Sequence, residues 1–255
     1  MNSKVTIPCR TIRRMAWQVG KNYYWECVFI VLCCTILNSA PVFIAESFTD
    51  NEILLDIIDI ASFILETILN LGIATVFISV FRGKQPKIDM ISNSFDGTLR
   101  TIGMSLLSSL LIGLKMLLLI VPGILQALDD ALIFQVRSDN PDLAADECLK
   151  RSAQIMRGNR GKYILLNLSF FGWFLLAELP SYIYAYFFGP QMPAFAGDTL
   201  LNSLNAQLAY MNALAADPIC NVLRLFTILV QVYLLMSVAA FYDLAAGNVV
   251  IQEGE

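Results

Sequence analysis

Apolar residues run in long stretches separated by short polar segments. Those at about 24–44, 53–81, 101–121, 124–136, 163–188 and 222–242 each read as a membrane-crossing helix. A bilayer core needs roughly 20 residues of helix, so the stretch at 53–81 is expected to tilt or to project beyond the lipid. The stretch at 124–136 falls short of that length. Residues 101–136 nonetheless begin and end beside positive charge, so they must cross an even number of times. A helical hairpin turning at Val121-Pro122-Gly123 meets that demand, because proline cannot continue the hydrogen-bond ladder and glycine permits the turn. A re-entrant loop is the competing reading, and it requires protein or water over its backbone.

The polar segments carry helical patterns of their own. In 137–162, Ala145, Cys148, Leu149, Ser152, Ile155 and Met156 share one face. Asp146 with Lys150 and Glu147 with Arg151 are spaced i,i+4 on that helix. Asn140 is expected to cap it ahead of Pro141, and Gly158 to stop it, giving a cytoplasmic amphipathic helix against the inner surface of the bundle. In 189–220 a stripe of Leu200, Leu204, Leu208, Met211 and Ala215 opposes Asn202, Asn205 and Asn212, which predicts an interfacial helix on the outer face. Residues 83–100 hold a weaker pattern of Ile88, Ile91, Phe95 and Leu99, expected to lie along the inner headgroups.

Charge fixes the sidedness. Fifteen of the 17 Lys and Arg residues lie in 1–21, 82–100 and 137–162, which places those segments and both termini in the cytoplasm. Aromatic Tyr23, Tyr24 and Trp25 mark the inner end of the first span, and Tyr182, Tyr184 and Tyr186 the outer end of the fifth. The leader, residues 1–23, carries its basic residues as far as Lys21, longer than an ordinary signal-peptide n-region, so the first helix is expected to remain as an anchor. The expected fold is therefore an all-α, polytopic transmembrane helical bundle of about six spans, a single membrane domain over 1–255, multi-pass in the cell (inner) membrane. Anionic lipid headgroups are expected on its basic face.

With 57% hydrophobic residues, 15% charged residues and a mean hydropathy of +0.64, little remains for a soluble domain. The chain has no histidine, and its six cysteines form no CxxC, so they read as small packing residues. No metal, cofactor or nucleic-acid partner is expected.

The run Leu132-Ile133-Phe134 through Asp139-Asn140-Pro141-Asp142-Leu143, then Cys148-Leu149-Lys150-Arg151-Ser152, Met156-Arg157-Gly158-Asn159 and Leu168-Ser169-Phe170-Phe171-Gly172-Trp173, resembles a bacterial membrane family catalogued as domain of unknown function 975. The similarity is strongest over 120–176, and Ala239-Ala240-Phe241-Tyr242 also fits. It implies a multi-helix integral membrane protein of Gram-positive type bacteria and adds no substrate. A more distant likeness is to the membrane portion of some glycerophosphodiester phosphodiesterases, whose catalytic domain has no counterpart in this chain.

Ionisable side chains inside spans cost some ~2.5–3.5 kcal/mol each on insertion scales and ask for an explanation. Asp56, Asp59 and Glu66 fall in the second span, Lys115 in the third, Asp129 and Asp130 in the fourth, Glu178 in the fifth and Arg224 at the start of the sixth, all assigned to the outer half. One reading is an outward-facing acidic cavity for a cation or cationic peptide, with Glu66 deepest. The other pairs Lys115 with Asp129 or Asp130, pairs Arg224 with Asp56 or Asp59, and lets the remaining acids reach water. On the basic face, Arg151, Arg157, Arg160 and Lys162 are candidate contacts for a lipid phosphate or a partner, or topogenic charge alone. No GxSxG, HExxH or Walker loop occurs, so no enzymatic activity is expected. The expected role is a non-catalytic envelope or partner-binding component, as a homo-oligomer or with a membrane partner; the alternative is a small transporter or channel.

Overall fold

Helices and their connecting turns account for residues 4–48, 51–189 and 200–249, which the computed structural model describes; no strand occurs among them. The protein is an all-α helical bundle, and five of its helical segments are long and apolar enough to cross a membrane. Helix α1 (Cys9–Gly20) continues through a short 3-10 turn into α2 (Tyr24–Phe48). Asn51 then caps α3 (Glu52–Phe81), its side chain accepting from the N–H groups of Ile53 and Leu54. After α4 (Asp89–Ser92) come α5 (Thr98–Leu118), α6 (Ile120–Asp129), α7 (Ile133–Asp139) and α8 (Ala145–Met156). The chain closes with α9 (Arg160–Phe187), α10 (Leu200–Ala216), α11 (Pro218–Arg224) and α12 (Phe226–Ala246). Two compact units emerge, Met1–Asn167 with Val232–Glu255, and Leu168–Gln231.

In the first unit α3 is the organising element. Its 30 residues make a rod of about 45 Å, against about 30 Å of hydrocarbon, so one end must leave the lipid. Burial shows which end is packed by protein. Ile53, Ile57 and Ile60 are exposed, as lipid-facing residues are in the absence of a bilayer, whereas Ile68, Val76, Phe77 and Val80 are buried. The amphipathic α1 turns Ile12, Ala16 and Gly20 inward, where Ala16 and Gly20 meet Phe77, Val80 and Met236. Segment 89–95 packs on α3 as well, with Ile91 close enough to Gly72 that a Cβ there would come within 3.1 Å of the Ile91 backbone. Of the apolar residues expected to form one face in 83–100, Ile91 packs on α3 while Ile88, Phe95 and Leu99 are exposed.

Residues 98–139 leave and return on one side of this unit. Gly97, at φ +77°, precedes α5, and the Arg137 guanidinium at the far end of the segment lies 3.1 Å from where a Gly97 Cβ would stand. The turn differs from the expected Val121-Pro122-Gly123. Leu119 is the extended residue, and Pro122 falls in the first turn of α6, where a missing N–H breaks nothing. Gly123 serves close packing instead: a Cβ there would come 2.1 Å from Met116 Cγ and 2.9 Å from Met116 Cα. The expected span 124–136 is not one helix either. With 10 residues, α6 covers about 15 Å, half a bilayer, before the chain breaks at 130–132. Helices α5 and α6 thus form a helical hairpin whose second arm is shorter than a full span.

The break is tolerated because protein satisfies it. The buried Ser152 hydroxyl on α8 donates to the Asp129 carbonyl and accepts from the Leu132 N–H. Helix α8 begins at Ala145, later than expected from Pro141, because the Asn140 side chain turns back to the Val136 carbonyl and ends α7. Its Cys148, Leu149, Ser152, Ile155 and Met156 face is buried, and burial pushes the Cys148 thiol up, against the lowering influence of Arg137. Gly158, at φ +88°, supplies the stop. The buried Asn159 amide oxygen accepts the Val5 N–H at 2.9 Å and ties down the leader.

In the second unit Asp217 caps α11 by accepting from Ile219 and Cys220, and Tyr184 stacks on Phe188 with ring centroids 5.9 Å apart. Leu204, Leu208 and Met211 are exposed on α10, as are Asn205 and Gln207. Residues 190–199 and the side chains of Leu200, Asn202, Asn212 and Ala215 lie outside the described residues.

The glycines give a direct test of the hairpin. Gly123→Ala is expected to lower the unfolding midpoint in detergent, with an overpacking cost of about 1–3 kcal/mol. Gly113→Ala, with open space around its Cβ, is expected to be neutral or to stabilise by up to about 1 kcal/mol. Equal responses from the two variants contradict the close α5–α6 packing.

Candidate functional site

The polar residues of α3 recur at helical spacing, Ser62, Glu66 and Asn70 one above the other with Thr67 beside them. Opposite them α5 presents Thr101, Ser105, Ser108 and Ser109. Between the two helices lies a cavity of about 210 Å³. Its walls are Phe63, Glu66, Thr67 and Asn70 from α3, Ser105, Ser108 and Ser109 from α5, and Ile133 and Phe134 from α7. Glu66 lines it while remaining exposed, which corrects the expectation that this carboxylate is the deepest group. It carries no hydrogen bond or ion pair among the described residues. Thr67 is satisfied within its own helix by the Phe63 carbonyl.

One wall continues into a polar chain. The Ser108 hydroxyl donates to Asp130 at 2.7 Å, Gln126 donates to the other Asp130 oxygen at 2.9 Å, and Lys115 donates to the Gln126 carbonyl oxygen. Asp130 is thereby buried with two donors and no direct cation, and the expected pairing of Lys115 with Asp129 or Asp130 is replaced by its bond to Gln126. The partner of Asp129 is Arg160, whose Nε and Nη2 grip both carboxylate oxygens at 2.6 Å. Arg160 opens α9 at the end of the basic segment, so this end of α6 lies beside that segment. Two further polar atoms, the Ser62 hydroxyl one turn from Glu66 and the Gln135 carbonyl oxygen next to Phe134, are buried with no hydrogen-bond partner.

Of the residues expected to form an acidic cavity, then, Glu66 lines it and Asp130 and Lys115 reach it through Ser108 and Gln126. Asp56 and Asp59 are exposed on α3 away from its walls, and Asp129 is neutralised by Arg160. Glu178 and Arg224 belong to the second unit, where Glu178 accepts from the Ser181 hydroxyl at 3.0 Å and Arg224 is exposed. Among the four candidate phosphate contacts, Arg151 and Arg157 are exposed, Lys162 is half-buried, and Arg160 is committed to Asp129.

Sequence reasoning missed a second cluster. Arg82, just past the end of α3, donates through Nη1 and Nη2 to Asp139 at 2.7 Å each, and through Nε and Nη2 to Asp243 at 3.0 and 2.6 Å. Tyr242 donates to Asp139 at 2.9 Å, and Asn248 to Asp243 at 2.9 Å. The hydrogen bonds to Asp139 and then Asp243 hold the Arg82 guanidinium charged even more firmly than usual. A signal was present: Asp243 is a lone acid in the otherwise apolar run from Val238 to Ala246.

No family model, curated protein or solved structure matches the chain.

A double-mutant cycle separates the observed pairing from the expected one. Asp129→Asn with Arg160→Gln is expected to show a coupling within about 0.5–3 kcal/mol in unfolding free energy, whereas Asp129→Asn with Lys115→Gln is expected to be additive to within about 0.5 kcal/mol. Coupling to Lys115 instead of Arg160 contradicts the geometry.

Proposed function

We propose that this chain is a small membrane transporter or channel that admits a compact cation or protonated amine into the cavity between α3, α5 and α7, with Glu66 as the counter-charge. The observation that carries this reading is a carboxylate with no partner among the described residues, on the wall of a cavity whose other lining is four hydroxyls, one amide and the apolar Phe63, Ile133 and Phe134. A carboxylate in a membrane helix is costly unless something offsets it, and such residues mark ion and solute paths. The hydroxyl and amide groups replace part of a cation's hydration shell. Size narrows the solute. Pockets for drug-sized ligands run to about 300–1,000 Å³, so a cavity of about 210 Å³ suits a small ion or amine and not a cationic peptide. The short α6, broken at 130–132, has the broken-helix character that recurs in solute pathways.

The apolar face of α8 is packed against α5, α6 and α7 and so offers no free surface to a partner. The proposal includes a bacterial cell-membrane setting with basic segments and both termini inside, for which the charge distribution and the family resemblance are the support.

The test is potential-driven uptake of sodium, potassium and methylammonium into proteoliposomes. Glu66→Gln is expected to lower uptake of the conducted cation at least tenfold with an unchanged unfolding midpoint. Uptake of none of the three by the unmodified protein, or equal uptake by the variant, sinks the reading.

A further inference from the structure

We propose that α7 is the gate of the Glu66 cavity on the Arg82 side and that the Arg82–Asp139 pair is its latch; this rests on the reading of that cavity as a solute site. The same two helices carry wall and latch. Helix α7 contributes Ile133 and Phe134 to the cavity and, about 9 Å further along its axis, Asp139 to Arg82. On α3, Glu66 lines the cavity and Arg82 follows about 24 Å beyond it. Parting α7 from α3 therefore requires release of Asp139 and takes a wall from the cavity in one movement.

The local structure suits α7 to move as a piece. It is seven residues long and is bounded by the break at 130–132 on one side and by the loop 140–144 on the other. At the first break the Ser152 hydroxyl holds the Asp129 carbonyl and the Leu132 N–H, a fixed point about which the far end swings. The loop end is tied to α7 through Arg137 to the Leu143 carbonyl and Asn140 to the Val136 carbonyl, and the buried Arg137 also reaches Cys148 on α8.

The two arms of Arg82 are unequal, and that inequality makes one of them a latch. The Asp243 side chain is 1% exposed, so separating it from Arg82 strands a charge among apolar neighbours. The Asp139 side chain is 21% exposed and Arg82 is 34% exposed, so water can take the place of each partner there. Release of Asp139 leaves the guanidinium still neutralised by Asp243. Tyr242, on the same helix as Asp243, donates to Asp139 and holds the closed position from a second direction.

The experiment uses the full chain with its six cysteines replaced by alanine and Ser105→Cys as reporter, since Ser105 is buried on the cavity wall. Vesicles are treated on the Arg82 face with a charged, membrane-impermeant thiosulfonate. Asp139→Asn is expected to raise the labelling rate at least tenfold. Asp243→Asn is expected to lower the unfolding midpoint without a comparable gain in labelling. Equal labelling with and without Asp139→Asn overturns the gate, as does an equal gain from Asp243→Asn, which signifies general loosening. A Ser105→Cys reporter that resists even N-ethylmaleimide, a permeant reagent, in both backgrounds removes the cavity itself and the gate with it.

Discussion

The grip of Arg82 on two carboxylates is the constraint on which the packing of α3, α7 and α12 in the first unit depends. Asp243 lies buried where Ala239, Ala240, Phe241 and Ala245 surround it in sequence, and a carboxylate in such surroundings is tolerated only if a cation reaches it with good geometry. Arginine suits that task better than lysine, because its planar fork presents two edges and engages two carboxylates at once. One edge fixes α12 to α3, and the other draws in the end of α7. The remaining inner contacts, Met236 against Gly20 and Asn159 against Val5, assemble around the helices so aligned.

The rest of the polar interior follows one rule, with exceptions among the described residues at Asn38, Ser62, Gln135 and the exposed Glu66. Lipid supplies no hydrogen bonds, so each break or buried polar group has to be met by protein. Ser152 meets the break after α6, Arg160 meets Asp129, and Ser108 with Gln126 meets Asp130. Glu66 is not met. Its position on a cavity wall, in a neighbourhood where the other carboxylates are supplied with donors, distinguishes it from a carboxylate that is merely structural.

Helices were legible where hydropathy is continuous: the stretch read as 53–81 is α3 at Glu52–Phe81, and the inward face of α8 was named residue by residue. Those features are local, set by periodicities of a few residues. The turn at Leu119 was not legible, because Pro122 and Gly123 look like a turn to any local rule; Gly123 is instead demanded by Met116 across the hairpin. Partner choice was illegible for the same reason. Arg82 and Asp243 are 161 positions apart, and no local pattern says that Asp129 prefers Arg160 to Lys115. For the site, Glu66 stood out as an acid in an apolar helix, but its serine-lined opposite wall depends on how α5 lies on α3.

The central claim is that α3, α7 and α12 all end on one face of the membrane, gathered there by Arg82. Single cysteines at Lys84, Asp142 and Val249, in an otherwise cysteine-free chain, report it through labelling by an impermeant reagent in right-side-out and inverted vesicles. All three are predicted to react from the same face only, the inner one. Reaction of Asp142→Cys from the face opposite to Lys84→Cys contradicts the account.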